Sequence, residues 1–174
     1  MVPATILDYL HRSGTPFRLL PHRRAISAQE LAASVSVTGR RVAKSVVANA
    51  DGRMLLAVLP ATELLDEQRL AFALGVGQVR VASERELASL FPGCELGAAP
   101  PFGRLFGLPV IVDDSLARSA QQSDEPLVFR AGTHDTALEI RFDDFARLEQ
   151  PLLAAIARAW APSRRRVQPG LHPR

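Results

Sequence analysis

The stretch Arg41-Val42-Ala43-Lys44-Ser45-Val46-Val47 is followed by a second apolar run, Met54 to Leu59, and the segment Asn49-Ala50-Asp51-Gly52-Arg53 joins the two. Aliphatic and β-branched residues fill both runs, which is typical of buried strands. Asp-Gly between two such runs is a strong signal for a tight hairpin turn. The sequence therefore predicts a β-hairpin, and we expect the rest of the domain to be built around it.

Lys44 is the only lysine among the 21 lysine and arginine residues of the chain. Arginine cannot replace lysine where a compact ammonium, or a group that can lose its proton, is needed. Side chains alternate along a strand, so Lys44 shares one face with Val42 and Val46. This environment predicts a packed stem, a head group that reaches into a pocket and a lowered pKa. The alternative is a lysine that persists by chance on a solvated strand face.

The chain of 174 residues is 47% hydrophobic and 22% charged, which is typical of one globular domain. Capping boxes, apolar periodicity and turn residues place the other elements. We expect helices at 5–12, 27–34, 66–74 and 83–90, a last helix capped by Asp143 or Asp144 that runs to Ile156, and strands at 16–20, 78–81, 108–112, 127–131 and 137–142. The mixture predicts an α+β fold, a single domain over residues 1–160 with a central mixed or antiparallel sheet, partly barrel-like, flanked by helices.

The net charge of +3 is concentrated at the C-terminal end of the chain. Residues 161–174 carry four arginines and no acid, and they are rich in proline, which predicts a disordered basic tail. The rest of the chain is slightly acidic, so any contact between the folded core and nucleic acid has to be local. The tail either adds nonspecific attraction to phosphates or has no role.

Several classes of protein are disfavoured. Cys94 is the single cysteine, which excludes an internal disulfide, and no two histidines have metal-ligand spacing, so we expect neither a metal nor a cofactor. Pyridoxal phosphate on Lys44 is disfavoured because no phosphate cup is evident. No apolar stretch approaches the roughly 20 residues of a membrane span, and the N-terminus does not resemble a secretory signal. We expect a cytoplasmic protein that does not enter a membrane.

The segment Gly97-Ala98-Ala99-Pro100-Pro101-Phe102-Gly103 is the second unusual feature. Proline fixes φ, and glycine lets the backbone approach a ligand closely. Such a loop can hold its amides in a rigid array that hydrogen bonds a carbonyl or phosphate oxygen. It is not a P-loop, because the Gly-Lys-Ser/Thr ending is missing. A plain surface turn is the alternative.

The third feature is Ala131-Gly132-Thr133-His134-Asp135, which lies between two predicted strands. His134 could donate to a substrate oxygen or position a water molecule, although a hairpin turn with an exposed histidine explains the same pattern. Asp113 and Asp114 end another predicted strand, where functional groups are common. Either aspartate could instead cap the following turn.

These three features together resemble the YbaK-like aminoacyl-tRNA deacylases, relatives of the editing domain inserted in bacterial prolyl-tRNA synthetases. The resemblance covers roughly residues 5–157 and includes the Val112-Asp113-Asp114-Ser115-Leu116 turn. It implies a free-standing enzyme that hydrolyses the ester between a wrong amino acid and tRNA without a metal, often with help from a substrate hydroxyl. The partner would be an aminoacyl-tRNA, with tRNA-Pro among the candidates, and we expect a monomer.

The resemblance also assigns roles to individual residues. Lys44 matches the essential lysine of the family, and His134 and Gly132 match its last pocket turn, so these three are the expected catalytic residues. The expected substrate-binding residues are Ser45, Gly97, Pro100, Pro101, Phe102, Gly103, Asp113 and Thr133. The residues at 45 and 134 vary among relatives, which leaves alanine, serine, threonine and cysteine as candidate amino acids.

Two other readings of the sequence stay open. The same scaffold could be a noncatalytic module that binds a tRNA end or a nucleotide. Alternatively, the protein could be an accessory factor that acts through its basic tail alone.

Overall fold

The computed structural model describes residues 1–87 and 89–160. These residues form both helices and strands in an irregular order, as expected for an α+β domain. The helices are α1 (Ala4–Ser13), α2 (Ala28–Ser34), α3 (Glu67–Leu74), α4 (Glu84–Leu87), α5 (Asp114–Ser123) and α6 (Phe142–Glu149), with a 3-10 turn at Gly103–Phe106. The strands are β1 (Arg18–Pro21), β2 (Ala43–Ala50), β3 (Arg53–Pro60), β4 (Glu63–Leu65), β5 (Val79–Val81), β6 (Val110–Asp113), β7 (Leu127–Arg130), β8 (Thr136–Ile140), β9 (Leu152–Ala154) and β10 (Ala157–Ala159).

The predicted hairpin is confirmed as the centre of the main sheet. Strands β2 and β3 pair antiparallel from Ala43–Pro60 to Ala50–Arg53, and Asp51 and Gly52 form the turn with positive φ angles of 48° and 89°. The five-stranded sheet has the order β5-β2-β3-β6-β9, with β5 antiparallel to β2, and with β6 and β9 added in parallel. The sheet is therefore mixed, as the sequence predicted.

A second sheet of three antiparallel strands, β1-β8-β7, touches the first along one seam. Val42 forms an isolated bridge with Val128 of β7, and the Val128 amide donates to the Arg41 carbonyl at 2.8 Å. Strands β4 and β10 form a small antiparallel pair beside the main sheet. Within the described residues these sheets do not close into a barrel. This agrees with the sequence prediction of a sheet that is only partly barrel-like.

Apolar side chains cover both faces of the β2–β3 hairpin. Val47 and Val58 point into the larger core, where they meet α1, Phe129 and other residues of the three-stranded sheet. The neighbouring residues in the alternation, such as Ala48 and Ala57, pack instead against α3 and its Leu70. Since both faces of β2 are covered, a polar side chain on this strand can be accommodated only where it points into a cavity.

Three segments differ from the sequence prediction. Helix α6 begins at Phe142 without a side-chain cap and ends at Glu149, where Gln150 has a φ of +48° and Pro151 follows, so the residues from Leu152 form strand β9 instead of a last helical turn. Proline disfavours helical geometry in the residue before it, which explains the early end. The turn expected at residues 112–116 is the start of helix α5, which runs to Ser123, and the helix that opens at Ser83 is shorter than expected, because α4 ends at Leu87.

The predicted tail at 161–174 lies outside the described residues. Within the part of the chain that the structure describes, no helix has both the length and the apolar character needed to cross a membrane.

Candidate functional site

Lys44 lies on β2 and lines a cavity of about 540 Å³, here named the lysine cavity. Leu64 and Leu65 of β4 and Arg158 of β10 form part of its wall. The side chain is half-buried, and burial lowers the pKa of its ammonium group, an effect that the negative charge of Glu63 partly opposes. The half-buried position at a cavity wall agrees with the packed environment that the sequence predicted for this lysine.

Ser45, the next residue of β2, lines a second cavity of about 420 Å³, here named the loop cavity. Its other walls are apolar side chains such as Leu87 and Phe91, together with the loop residues Gly97 and Ala99. Cys94 is also there, and burial raises the pKa of its thiol, which disfavours the reactive thiolate.

The lysine cavity and the loop cavity adjoin each other along one edge of β2. Both are lined by Val46 and Val81. Strand β5 pairs only with residues 48–50 of β2, so the same edge at residues 44–46 has no strand beside it. The gap in the sheet places Lys44 and Ser45, which point to opposite faces, at the boundary between two neighbouring cavities.

Hydrogen bonds connect the Gly97 loop to the turn at residues 132–134. The Glu95 amide donates to the Gly132 carbonyl at 2.9 Å, the Gly132 amide donates to the Ala98 carbonyl at 3.1 Å, and the His134 amide donates to Oε2 of Glu95 at 3.2 Å. The second and third sequence features therefore converge, and the Gly97 loop lines the loop cavity together with Ser45.

Gly132 occupies a position that no other residue fits. Its φ is +82°, and a Cβ atom there would lie 2.9 Å from Cδ of Pro3 and 3.0 Å from Sγ of Cys94. The turn is thus pressed against the start of α1 and against the loop. Its contribution to the site is to hold the loop, and the catalytic role predicted for it stays a prediction.

His134 is 4% exposed and lines neither cavity. Nη1 of Arg130 lies 3.1 Å from Nδ1 of the ring, and Nε2 lies 2.9 Å from the Leu96 carbonyl. Nδ1 also lies 3.1 Å from the Ala25 carbonyl, so both ring nitrogens face protein groups, and Nε2 donates to the Leu96 carbonyl because a carbonyl oxygen can only accept. The ring therefore supports the loop from behind, and direct contact between His134 and a water molecule or ribose, as expected from the sequence, does not fit this geometry.

The second half of the loop is packed in the core and fixes the loop to the domain. Pro100, Pro101, Phe102 and Gly103 are buried, and the Phe102 ring packs in the core with its centroid 5.9 Å from that of Tyr9. A Cβ on Gly103 would lie 2.5 Å from the Leu108 carbonyl oxygen, so this glycine is required for packing. The four residues predicted to bind substrate instead fix the end of the loop.

The first half of the loop presents free donors. Gly97 is exposed with a φ of +78°, and Ala99 is half-buried. Within the described residues, the amides of Gly97 and Ala99 donate to no protein acceptor. Two N–H groups at the wall of the loop cavity, on a backbone held by two prolines and a buried phenylalanine, are suited to bind an anionic or carbonyl oxygen.

Two further predicted residues are used inside the fold. Asp113 is 3% exposed, and it accepts hydrogen bonds from the Ser115 amide and, through Oδ2, from the amides of Ile156 and Ala157 at 2.8 and 2.7 Å. Thr133 is buried and donates to Asp135. Asp113 therefore caps α5 and ties down the chain before β10, so its predicted substrate contact does not fit its position.

Sequence reasoning missed Arg130 and Glu95. Arg130 is buried, and its guanidinium donates to the carbonyls of Ala25, Ile26 and Ser27 as well as to His134. The signal in the sequence was its position at the end of an apolar strand, where a charged residue indicates a structural or functional role. Glu95 lies just before the Gly97 loop, and an acidic residue beside a glycine-rich loop is a signal in the sequence for a binding group. Within the described residues, no group of three acidic, histidine or cysteine side chains could hold a metal ion.

Comparison with solved structures supports the fold. A hypothetical protein superposes with a TM-score of 0.77 at 19% identity, over 88% of this chain and 99% of its own. A candidate trans-editing enzyme for prolyl-tRNA synthetase gives 0.76 at 19% identity, over 90% and 96%. A candidate signal transduction protein from Marinobacter aquaeolei VT8 gives 0.68 at 20% identity, and this chain matches 31% of its length. At such identities a likeness describes architecture and not activity.

Comparison by sequence identifies the family. A search of curated proteins gives no match. The family model described as the aminoacyl-tRNA editing domain matches residues 22–148. This span includes the lysine strand, the Gly97 loop and the 132–134 turn that is hydrogen bonded to the loop. The chain belongs to the aminoacyl-tRNA editing domain family.

Proposed function

We propose that the protein is a trans-editing deacylase, which hydrolyses the ester between a wrongly attached amino acid and its tRNA. The observation that carries the proposal is the pair of free amides, of Gly97 and Ala99, in a cavity that adjoins the one containing Lys44. Family membership supports an editing role, and the cavities suggest how the chemistry is divided. The loop cavity would hold the aminoacyl ester, and the lysine cavity would hold the nucleotide end.

Hydrolysis of an ester passes through a tetrahedral intermediate with a negative oxygen. Amide donors that are already in place stabilise that oxygen without reorganising, and one such donor is worth a factor of about 100 to 1,000 in rate. The loop is held by the Gly132 turn and by the buried Pro100–Gly103 segment, so its donors have little freedom to lose. In this proposal His134 keeps the loop in place and does not touch the reacting atoms.

Lys44 would bind a phosphate of the terminal adenosine as a point charge. Burial lowers its pKa, but a phosphate close to the ammonium acts in the opposite direction and favours the charged form. The sheltered position strengthens this attraction, since fewer water molecules screen it. We therefore assign Lys44 as an anchor and not as a general base, because an anchor needs the ammonium form.

The proposed amino acid is a small one, as the family resemblance implies. The loop cavity, of about 420 Å³, has room for the aminoacyl group and part of the ribose, and Ser45 is a small residue at its boundary with the lysine cavity. Alanine, serine, threonine and cysteine are the candidates, and tRNA-Pro is a candidate partner. A methyl and a hydroxyl differ by only about 1–3 kcal/mol in such a pocket, so selectivity among these four has to be measured.

The test is a panel of tRNAs mischarged with these four amino acids, assayed for release of the free amino acid. We expect Lys44→Ala to reduce kcat/KM by about 100-fold or more, because a charge-assisted contact to phosphate is lost. Arg12→Ala is the matched control: it removes one positive charge at the exposed end of α1 and should leave the rate unchanged. Circular dichroism checks that both variants are folded.

Three outcomes would contradict the proposal. Near-normal turnover by Lys44→Ala would exclude the proposed role of Lys44 in binding a phosphate. Binding of the tRNA without release of any amino acid would favour a noncatalytic module. If deletion of residues 161–174 abolished activity while Lys44 was dispensable, the basic tail would carry the function.

A further inference from the structure

Among the described residues that line the loop cavity, Glu95 is the one that carries a charge. Its side chain is 37% exposed, so the carboxylate lies at the mouth of the cavity and not beneath it. The deeper lining residues are mostly apolar, and the free amides of Gly97 and Ala99 follow in the chain within four residues. One negative charge and two neutral donors therefore border the same space.

The carboxylate of Glu95 is held in place and keeps one oxygen available. Oε2 accepts from the His134 amide at 3.2 Å and from Nη1 of Arg24 at 3.3 Å. Within the described residues, no donor hydrogen bonds to Oε1. The backbone of Glu95 is fixed as well, since its amide donates to Gly132. A carboxylate oriented by its neighbours is a preorganised acceptor for a cation.

We propose that Glu95 binds the α-ammonium group of the aminoacyl ester, so that the protein acts on esters with a free amine and rejects N-blocked ones. The inference rests on the proposed deacylase function. In an aminoacyl ester the ammonium group is on the carbon next to the ester carbonyl, so the two groups are recognised at adjacent points. The loop amides match the carbonyl oxygen, and Glu95 matches the ammonium.

N-acylation would weaken recognition in two ways. It neutralises the amine, so the charge-assisted hydrogen bond to Glu95 is lost, and it adds bulk at the mouth of the cavity. N-formylated and peptidyl esters of tRNA, which carry an amide at this position, would be spared. The selectivity is therefore against a chemical class and is independent of the amino-acid side chain.

The test compares a free and an N-acetylated substrate in the wild-type protein and in two variants. The substrates are the fastest mischarged tRNA of the panel and the same tRNA after N-acetylation. In Glu95→Gln the amide oxygen can still accept from the His134 amide, but the charge is gone. Glu84→Gln is the control, because Glu84 is exposed on α4, the helix whose Leu87 lines the same cavity.

We expect the wild type to hydrolyse the free-amine substrate about 10- to 100-fold faster than the acetylated one. Glu95→Gln should lower kcat/KM for the free amine by a similar factor and leave the acetylated substrate unchanged, while Glu84→Gln changes neither. Equal rates on both substrates in the wild type would overturn the proposal. So would an equal loss on both substrates in Glu95→Gln, which would show that Glu95 only positions the loop.

A binding measurement separates failure of this inference from failure of the deacylase function. The probe is 3′-alanylamido-3′-deoxyadenosine, in which an amide replaces the ester, with a free or an acetylated amine. If no tRNA is hydrolysed, tighter binding of the free-amine probe, lost in Glu95→Gln, still supports the role of Glu95. Equal binding of the two probes would refute it.

Discussion

Replacement of Gly132 by alanine should destabilise the protein through two separate effects. The first is backbone strain, since a φ of +82° costs a residue with a Cβ about 1–2 kcal/mol. The second is overpacking, because the new Cβ would lie 2.9 Å from Cδ of Pro3 and 3.0 Å from both Sγ of Cys94 and Cδ1 of Ile6. Overpacking of this kind costs about 1–3 kcal/mol. The expected total is about 2–5 kcal/mol.

Gly14→Ala is the matched control for the backbone effect. Gly14 has a φ of +67°, similar in sign to that of Gly132, but a Cβ there would meet nothing within 4 Å. It should therefore lose only the strain energy, about 1–2 kcal/mol. The difference between the two variants isolates the packing of the turn against α1 and the loop.

Urea denaturation measures both free energies, and thermal unfolding gives a second reading, at about 2–4 °C per kcal/mol for a chain of this length. Deacylation is measured well below the melting temperature of Gly132→Ala. Since Gly132 exchanges hydrogen bonds with Glu95 and Ala98, a displaced turn should displace the loop and lower activity while the protein stays folded. If Gly132→Ala lost no more stability than Gly14→Ala, the packing argument would be refuted.

Two further predictions concern charged groups. Lys44→Met should be more stable than the wild type near neutral pH, because the variant has no buried ammonium. Since burial lowers the pKa of Lys44 in the folded protein, the unfolded wild-type chain binds more protons than the folded one at pH values just below the ordinary pKa of 10.5. The stability of the wild type therefore rises as the pH approaches 10.5, and the advantage of the variant should shrink. A stability difference in urea titrations that did not change between about pH 7 and pH 11 would contradict the sign. Asp113→Ala should cost about 3–5 kcal/mol, because it removes a helix cap and leaves the buried amides of Ile156 and Ala157 without their acceptor. Asp66→Ala, which removes only a cap at a more exposed helix start, should cost about 1 kcal/mol, and equal losses in urea denaturation would contradict the buried role of Asp113.

Much of the fold could be predicted from local signals. The Asp51-Gly52 turn, the capping box at Ser27 and the Gly75 helix end depend on interactions within a few residues, so they can be read directly from the chain. The prediction failed after Glu149. Pro151 is a local signal for the helix end, but the pairing of residues 152–154 with β6 as strand β9 depends on a long-range contact that no local pattern encodes.

The candidate site divides in the same way. The sequence by itself identified the three segments that form it and placed Lys44 on a strand with a covered stem, because alternation along a strand and the bias toward arginine are visible in one dimension. Only the tertiary structure decided which side chains reach a cavity. In the sequence, His134 and Asp113 look equally available to a substrate. In the structure, the histidine ring is hydrogen bonded to Arg130 and to the Leu96 carbonyl, and the aspartate accepts a hydrogen bond from the Ile156 amide just before β10. A polar residue becomes a binding group or a structural one according to which distant donors and acceptors the fold brings to it, and the Ala25 carbonyl beside His134 is 109 residues away in the chain.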